Sequence, residues 1–313
     1  MRRVELISVL LCIAVLQAGC SVVRGRIGDA SRITNNELAG ATTDVAIITV
    51  LPDEYHAILR KLENVHHVVE PNGRVNLYVW ATGEVRSPDR SETRSVVVAM
   101  AGEAGVVSGA LATQATIDRW KPANVLLVGI AGGVHESVSL GDIVISSQIW
   151  GYEHGHLGTH YESGGGLFFQ PDPMLEEAAL RLGPDWRSRI AVTRPGPRGA
   201  PKVLAGKTAS GDKVVENARS AYFAESLRID GTVMAVEMEG TGAAAAVGQV
   251  HDKGETTGFL MIRGISDLIF SKNREEHSRL ELGRNPQRGE WKSYASDVAA
   301  SFAIGLVESY WKQ

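Results

Sequence analysis

"DVAIITVLPDEYHAIL" (Asp44–Leu59) holds the pattern on which the whole fold turns. From Val45 to Leu51 it is almost continuously apolar, as expected of a strand covered on both faces. Pro52 then occupies the position proline prefers, the first of a helix, with Asp53 and Glu54 in the opening turn. A doubly covered strand running straight into a helix is the repeating unit of an α/β protein.

The unit recurs. "RSVVVAM" (94–100) and "NVLLVGI" (124–130) read as further strands, with an alanine-rich helix from about Gly105 to Trp120 between them. "GDIVISSQIW" (141–150), "KVLAGKTAS" (202–210) and "FLMIRGIS" (259–266) continue the series. Trp291, Tyr294, Ala295, Val298, Phe302, Leu306 and Tyr310 recur at helical spacing and predict an amphipathic closing helix. A chain of 313 residues could carry one large domain or two small ones. The unbroken alternation and the lack of internal repeats favour a single α/β domain over 44–313, with a central mixed or parallel β-sheet flanked by helices. The mixed sheet is the architecture expected. Hydrophobic residues at 44% and charged residues at 22% support a real core, and a formal charge of −4 gives no reason to expect nucleic acid or an anionic surface as partner.

The first twenty residues, "MRRVELISVLLCIAVLQAGC", differ from the rest. Two arginines precede an apolar run from Leu6 to Leu16, too short to span a bilayer, which takes about 20 residues. Ending in Ala18-Gly19-Cys20, the segment resembles a bacterial lipoprotein signal. That implies lipidation of Cys20 and a location at the cell envelope, on the periplasmic face of the outer membrane, with the membrane touched only through that lipid. An uncleaved anchor or a plain secretory signal is the alternative. Cys12 and Cys20 are the only cysteines, so a thiol nucleophile or thiolate metal site in the body is excluded. Residues 21–43 are polar and aperiodic and read as a flexible tether.

In open α/β sheets ligands collect at the carboxyl ends of strands. Leu51-Pro52-Asp53-Glu54, Gly129-Ile130-Ala131-Gly132-Gly133 and Gly264-Ile265-Ser266-Asp267 end strands with polar or glycine-rich residues. "AVEMEGTGAAAAVG" (235–248) adds a fourth end, with Glu237 and Glu239 on either side of Met238 before a tightly packed helix start. One acidic residue there would merely complement the helix dipole; two around a methionine call for another reason.

In this order, "VLPDEYHAIL", "VGIAGGVHESVSLGDIVIS", "TASGDKVVEN", "AVEMEGTGAAAA" and "IRGISD" resemble the nucleoside phosphorylase and nucleosidase superfamily, most nearly methylthioadenosine/S-adenosylhomocysteine nucleosidase-like proteins. The resemblance covers about residues 44 to 313. It implies an N-glycosyl hydrolase that releases free base and a ribose derivative from a purine nucleoside, without cofactor or metal, as a homodimer or higher oligomer. It also implies roles. Asp267 would be the general acid on purine N7, and apolar Ile265, Leu268, Ile269 and Phe270 would desolvate it so that it keeps a proton. Glu54 would orient the attacking water on the other face of the sugar. Glu239 would accept hydrogen bonds from the ribose hydroxyls, with Met238 packed on the sugar. Ala131, Gly132, Val215 and Ser266 would complete the substrate site. Simpler alternatives stand beside these: Ser266-Asp267 capping a turn, Glu54 complementing a helix end as Asp53 would, and the glycines serving a tight turn. Glu237 is either structural or part of the same cavity, and Arg263 is expected in an ion pair that orders the site.

Two departures from the family pattern bear on chemistry. Val214 and Val215 stand in "SGDKVV", where the bacterial nucleosidases carry an aromatic that stacks on the base. Glu54 in "LPDEY" replaces the phosphate loop of the phosphorylases, and its charge would repel phosphate, so water is the expected nucleophile. A phosphorylase, or a nucleoside-binding module without turnover, is the alternative. His154, His156 and His160 have a spacing that could bind a metal, but no carboxylate is placed to join them, and no metal is expected.

Overall fold

The structure is a computed structural model that describes residues 31–34, 42–69, 78–157, 161–197, 199–254, 256–270 and 286–310. The expected signal segment with Cys20, most of the expected tether, and His160 lie outside the described residues. Within 21–43 a short strand, β1 (Ser31–Thr34), lies at one edge of the sheet, where the sequence reads as irregular.

The strand of the opening stretch is β2 (Val45–Thr49), buried along its whole length, and it leads into α1 (Pro52–Leu59) as expected. β3 (Glu63–Val69) and β4 (Val79–Arg86) follow, then β5 (Thr93–Met100), α2 (Val106–Trp120) and β6 (Asn124–Gly133). The second half begins with β7 (Ile143–Gly151) and the short strands β8 (Gly155–Leu157), β9 (Tyr161–Ser163) and β10 (Leu167–Phe169). It continues through α3 (Pro173–Arg181), β11 (Val203–Ser210), α4 (Ala221–Ile229), β12 (Val233–Glu237) and α5 (Gly240–Asp252). β13 (Gly258–Leu268) and α6 (Gln287–Ser309) close the chain.

The sheet is mixed. β2 runs parallel to β5 and β6, and β13 runs parallel to β6, whereas β4 pairs antiparallel with both β3 and β5. β13 also pairs antiparallel with β7, so the path β6–β12–β11–β7–β13 returns to β6 and curls half of the sheet into a small closed barrel. Closure removes sheet edges within the ring and brings β12 into the site region antiparallel to its neighbour β6, beside which β13 runs parallel.

One expectation and one alternative reading need correction. α6 is not amphipathic: every residue from Tyr294 to Val307 is buried. It lies between α1, the sheet and a 3₁₀ turn at Pro184–Arg189. Its buried Asp297 is satisfied by Lys61 and by the Ala191 and Val192 amides. The glycines after Val128 form no turn. Gly129, Gly132 and Gly133 continue β6 and have no positive φ.

The small residues of "GTGAAAA" serve a close helix crossing. A Cβ on Gly242 would lie 1.9 Å from the Val106 carbonyl oxygen, and one on Gly109 would lie 2.8 Å from the Glu239 carbonyl oxygen. α2 and α5 therefore meet backbone to backbone, and α5 starts immediately behind the cavity.

Candidate active site

All four strand ends open into one cavity. Glu54, Ala131, Val215, Met238, Glu239, Ser266 and Asp267 line it, as the sequence led us to expect; Gly132 does not. Gly132 stands behind the wall, where a side chain would press on Ile269 and Val236 and come within 3.5 Å of the Asp267 carboxylate. Its smallness makes room for Asp267.

Glu54 is the third residue of α1 and is buried. Its Oε2 accepts from the Val50 and Leu51 amides, each at 2.9 Å, and its Oε1 accepts from the Ile130 amide at 2.9 Å. The first pair is half of a capping box. The third bond crosses to β6 and gives the carboxylate a place in the cavity that a simple helix-end charge would not need. Oε1 has one protein donor, which leaves it acceptor capacity for a water. Asp53 points elsewhere: it pairs with Lys292 and accepts from Ser293 on α6.

Glu237 and Glu239 reach the same cavity from two different elements. Side chains two apart on a strand share a face, but here the second belongs to the helix: Glu239, with φ −121° and ψ −22°, is the N-cap of α5. Arg263, on β13, inserts between the two carboxylates. Its Nη2 makes a short ion pair with Glu237 and a second at 3.2 Å with Glu239, and the Arg263 and Glu237 side chains are each 1% exposed. The expectation that Arg263 orders the site through ion pairs matches this geometry. Gly129 provides its slot: a Cβ there would fall 2.3 Å from Arg263 Nη1 and 2.6 Å from Glu54 Oε1.

Three buried carboxylates thus share one guanidinium. Burial, followed by the neighbouring charges of Glu237 and Glu54, pushes the Glu239 carboxyl up to about 7, against the opposing pull of Arg263 and of the Gly105 amide. That amide, at the positive end of α2, donates to Glu239 Oε1 at 3.1 Å.

At the other end of the cavity burial raises the proton affinity of Asp267. Ser266 Oγ donates to Asp267 Oδ1 at 2.6 Å, and nearby Arg288 opposes the rise. Among the described residues no backbone amide donates to Asp267, so the geometry is not that of a turn cap. Val214 and Val215 line the wall where a stacking ring would stand.

Sequence reasoning missed Ala104, Lys213, Val236 and Arg288, which also line the cavity, and the Gly105 amide. The glycines around Ala104 were the available signal, since Gly102 and Gly105 both have positive φ. Arg288 sits in the first turn of α6, and nothing local marks it. Among the described residues no group of three His, Cys, Asp or Glu side chains is arranged to hold a metal.

A mixed sheet whose strand ends gather a buried acid, an amide-held glutamate and a paired carboxylate clamp is the architecture of an enzyme acting on a small polar molecule. The model of the phosphorylase superfamily matches residues 44–298, and the chain belongs to that family. A 5'-methylthioadenosine/S-adenosylhomocysteine nucleosidase of Bacillus licheniformis is 29% identical over 224 residues, covering 72% of this chain and 85% of that protein. The one from Bacillus thuringiensis is 30% identical over 173 residues, covering 55% and 68%. Among solved structures, the Neisseria meningitidis nucleosidase in complex with methylthio-immucillin-A superposes with a TM-score of 0.64 at 25% identity, covering 85% of this chain and 98% of that one.

Proposed function

We propose that the protein hydrolyses the N-glycosidic bond of a purine nucleoside of the methylthioadenosine/S-adenosylhomocysteine type, giving free base and a ribose derivative. The observation that carries this reading is the meeting, in one cavity, of Asp267, which burial inclines to keep its proton, and Glu54, whose carboxylate is held by three backbone amides. Cleavage builds positive charge on the sugar and negative charge on the departing base. Asp267 answers the second by giving its proton to the base. Glu54 Oε1 accepts a hydrogen bond from the water that attacks the anomeric carbon and takes up its proton as the new C–O bond forms. Glu239 accepts from the ribose hydroxyls, and Met238 packs on the sugar face.

Water is favoured over phosphate by charge. Glu54, Glu237 and Glu239 gather around Arg263 at the sugar end of the cavity, and a phosphate dianion placed against these three carboxylates would be repelled. A binding module without turnover would have no use for a buried proton donor such as Asp267. The same reading keeps the lipid anchor at Cys20, an envelope location and a homo-oligomeric state as parts of the proposal. Replacing Cys20 by alanine should then release the protein from the membrane fraction.

The test is incubation of the purified protein with a nucleoside panel, with and without phosphate. Free base and reducing sugar should appear in phosphate-free buffer. A sugar 1-phosphate formed in proportion to added phosphate would overturn the hydrolase reading, and no cleavage of any nucleoside would overturn the enzyme reading.

A further inference from the structure

Glu237 has no part in the mechanism above, yet its carboxylate makes more contacts than that of Glu239. It accepts from the Glu239 amide at 2.9 Å and from the Gly240 amide at 3.0 and 2.9 Å, and it holds the shorter of the two Arg263 ion pairs. The N-cap residue of α5, Glu239, makes no side-chain cap of its own. Glu237 performs that capping from two positions upstream, which frees the Glu239 side chain to face the cavity. We propose that Glu237 is a positioning residue for the sugar end of the site: it fixes the main chain at Glu239 and draws the Arg263 guanidinium to itself, so that Glu239 keeps oxygen lone pairs open for two hydroxyls. The proposal rests on the reading that Glu239 binds ribose.

The geometry supports each half. Among the described residues Glu239 Oε1 has one protein donor, the Gly105 amide at 3.1 Å, and Oε2 has one, Arg263 at 3.2 Å. Both bonds are long for a charged acceptor, and each oxygen retains acceptor capacity. A full, forked pair with Arg263 would consume that capacity. The guanidinium sits in the room that the bare Gly129 leaves for its Nη1, and how it divides between the two carboxylates decides what Glu239 has left. Gly240 is fitted to this arrangement, since a Cβ there would lie 2.7 Å from Glu237 Oε1.

The ionisation of Glu239 reports on the same balance. The charged groups around it are Glu237 on β12, Arg263 on β13 and Glu54 on α1, with the Gly105 amide at the start of α2. Beyond that amide lies Asp212, whose Oδ1 accepts from the Val106 amide at 2.7 Å. Replacing Glu237 by glutamine removes a negative neighbour and turns Arg263 towards Glu239. Both changes make Glu239 hold its proton less tightly.

The test is Glu237→Gln, read by steady-state kinetics on a ribonucleoside that the wild type cleaves and by carboxyl ¹³C NMR titration of Glu239, assigned through Glu239→Gln. KM should rise by about tenfold, the scale of one weakened charge-assisted hydrogen bond, with kcat changed by less than about threefold. The Glu239 midpoint should fall from its position near 7, and the acid limb of kcat/KM should move to lower pH with it. A loss of thermal stability with KM and the Glu239 midpoint unchanged would reduce Glu237 to a helix cap and overturn the proposal. If the wild type cleaves no nucleoside, the proposed function fails by itself, and the titration still decides: a lowered midpoint supports the positioning role and an unchanged one overturns it. If Glu237→Gln does not fold, Gly240→Ala displaces the same carboxylate sterically; a raised KM then supports the proposal, and a wild-type KM overturns it.

Discussion

Glu54→Gln separates what the amide cradle does for stability from what the carboxylate does for catalysis. The wild-type side chain accepts three backbone N–H bonds, two at Oε2 and one at Oε1. Glutamine offers one acceptor oxygen and an amino group that can only donate. Its best orientation puts the oxygen at the two-donor site, which sets the amino group against the Ile130 N–H. Leaving that buried donor unsatisfied costs about 1–3 kcal/mol, and the two retained bonds lose their charge assistance. A total of roughly 2–4 kcal/mol should lower the melting temperature by roughly 4–7 °C in a domain of this size. At the water site an acceptor has become a donor, so kcat should fall by about 10²–10⁴. Calorimetry and continuous detection of released base measure the two effects. Near-wild-type turnover would refute Glu54 as the residue that orients water, and an unchanged melting temperature would refute the three-amide cradle.

Asp267→Asn keeps the shape but has no acidic proton, so kcat should drop by about 10²–10⁴ while the substrate still binds; in the wild type activity should fall as pH rises through the raised Asp267 value, and Arg288→Met, by removing an opposing cation, should move that limb to higher pH. Glu239→Gln should penalise ribonucleosides more than 2′-deoxyribonucleosides in kcat/KM, because the latter lack one of the hydroxyls it binds. Since the folded Glu239 carboxyl is raised from 4.5 to about 7, its protonation favours the fold fully below about pH 4.5, and that contribution is lost as pH rises through 7; thermal melts from pH 4 to 8 should show a flatter profile in Glu239→Gln. Gly242→Val forces side-chain atoms into the Val106 carbonyl, where even a Cβ would lie at 1.9 Å; overpacking of this kind costs about 1–3 kcal/mol or more, and chemical denaturation should show at least that loss.

The sequence was informative where local chemistry repeats and silent where distant segments meet. The apolar runs that became β2, β5, β6, β7 and β13 were legible because strands buried on both faces need continuous hydrophobicity. β3, with "ENVHHVV", was not legible, because a half-exposed strand near a sheet edge carries polar residues that no periodicity separates from a loop. α6 read as amphipathic because small and polar residues such as Ser296, Asp297 and Ser301 interrupt its apolar stripe. The structure buries these as well, Asp297 through Lys61 from another part of the chain, and no pattern within the helix could show that partner.

The site divides in the same way. By itself the sequence singled out side chains that the structure places around one cavity: Glu54, Met238, Glu239, Ser266 and Asp267 each end a strand or open a helix, and the motifs around them were sufficient to pick them out. Only the tertiary structure decided how they act. Barrel closure brings β12 to the cavity against the direction of β6 and β13, the end of β12 at Glu237 lets Glu237 and Glu239 both meet Arg263, and Gly129 stays bare because two charged side chains fill the space beside it. Motifs specify residue types at short range. The ionisation of a carboxylate and the donors it accepts from depend on groups a few ångströms away in space, such as Gly105 and Glu54 beside Glu239, which are more than a hundred residues away in the chain.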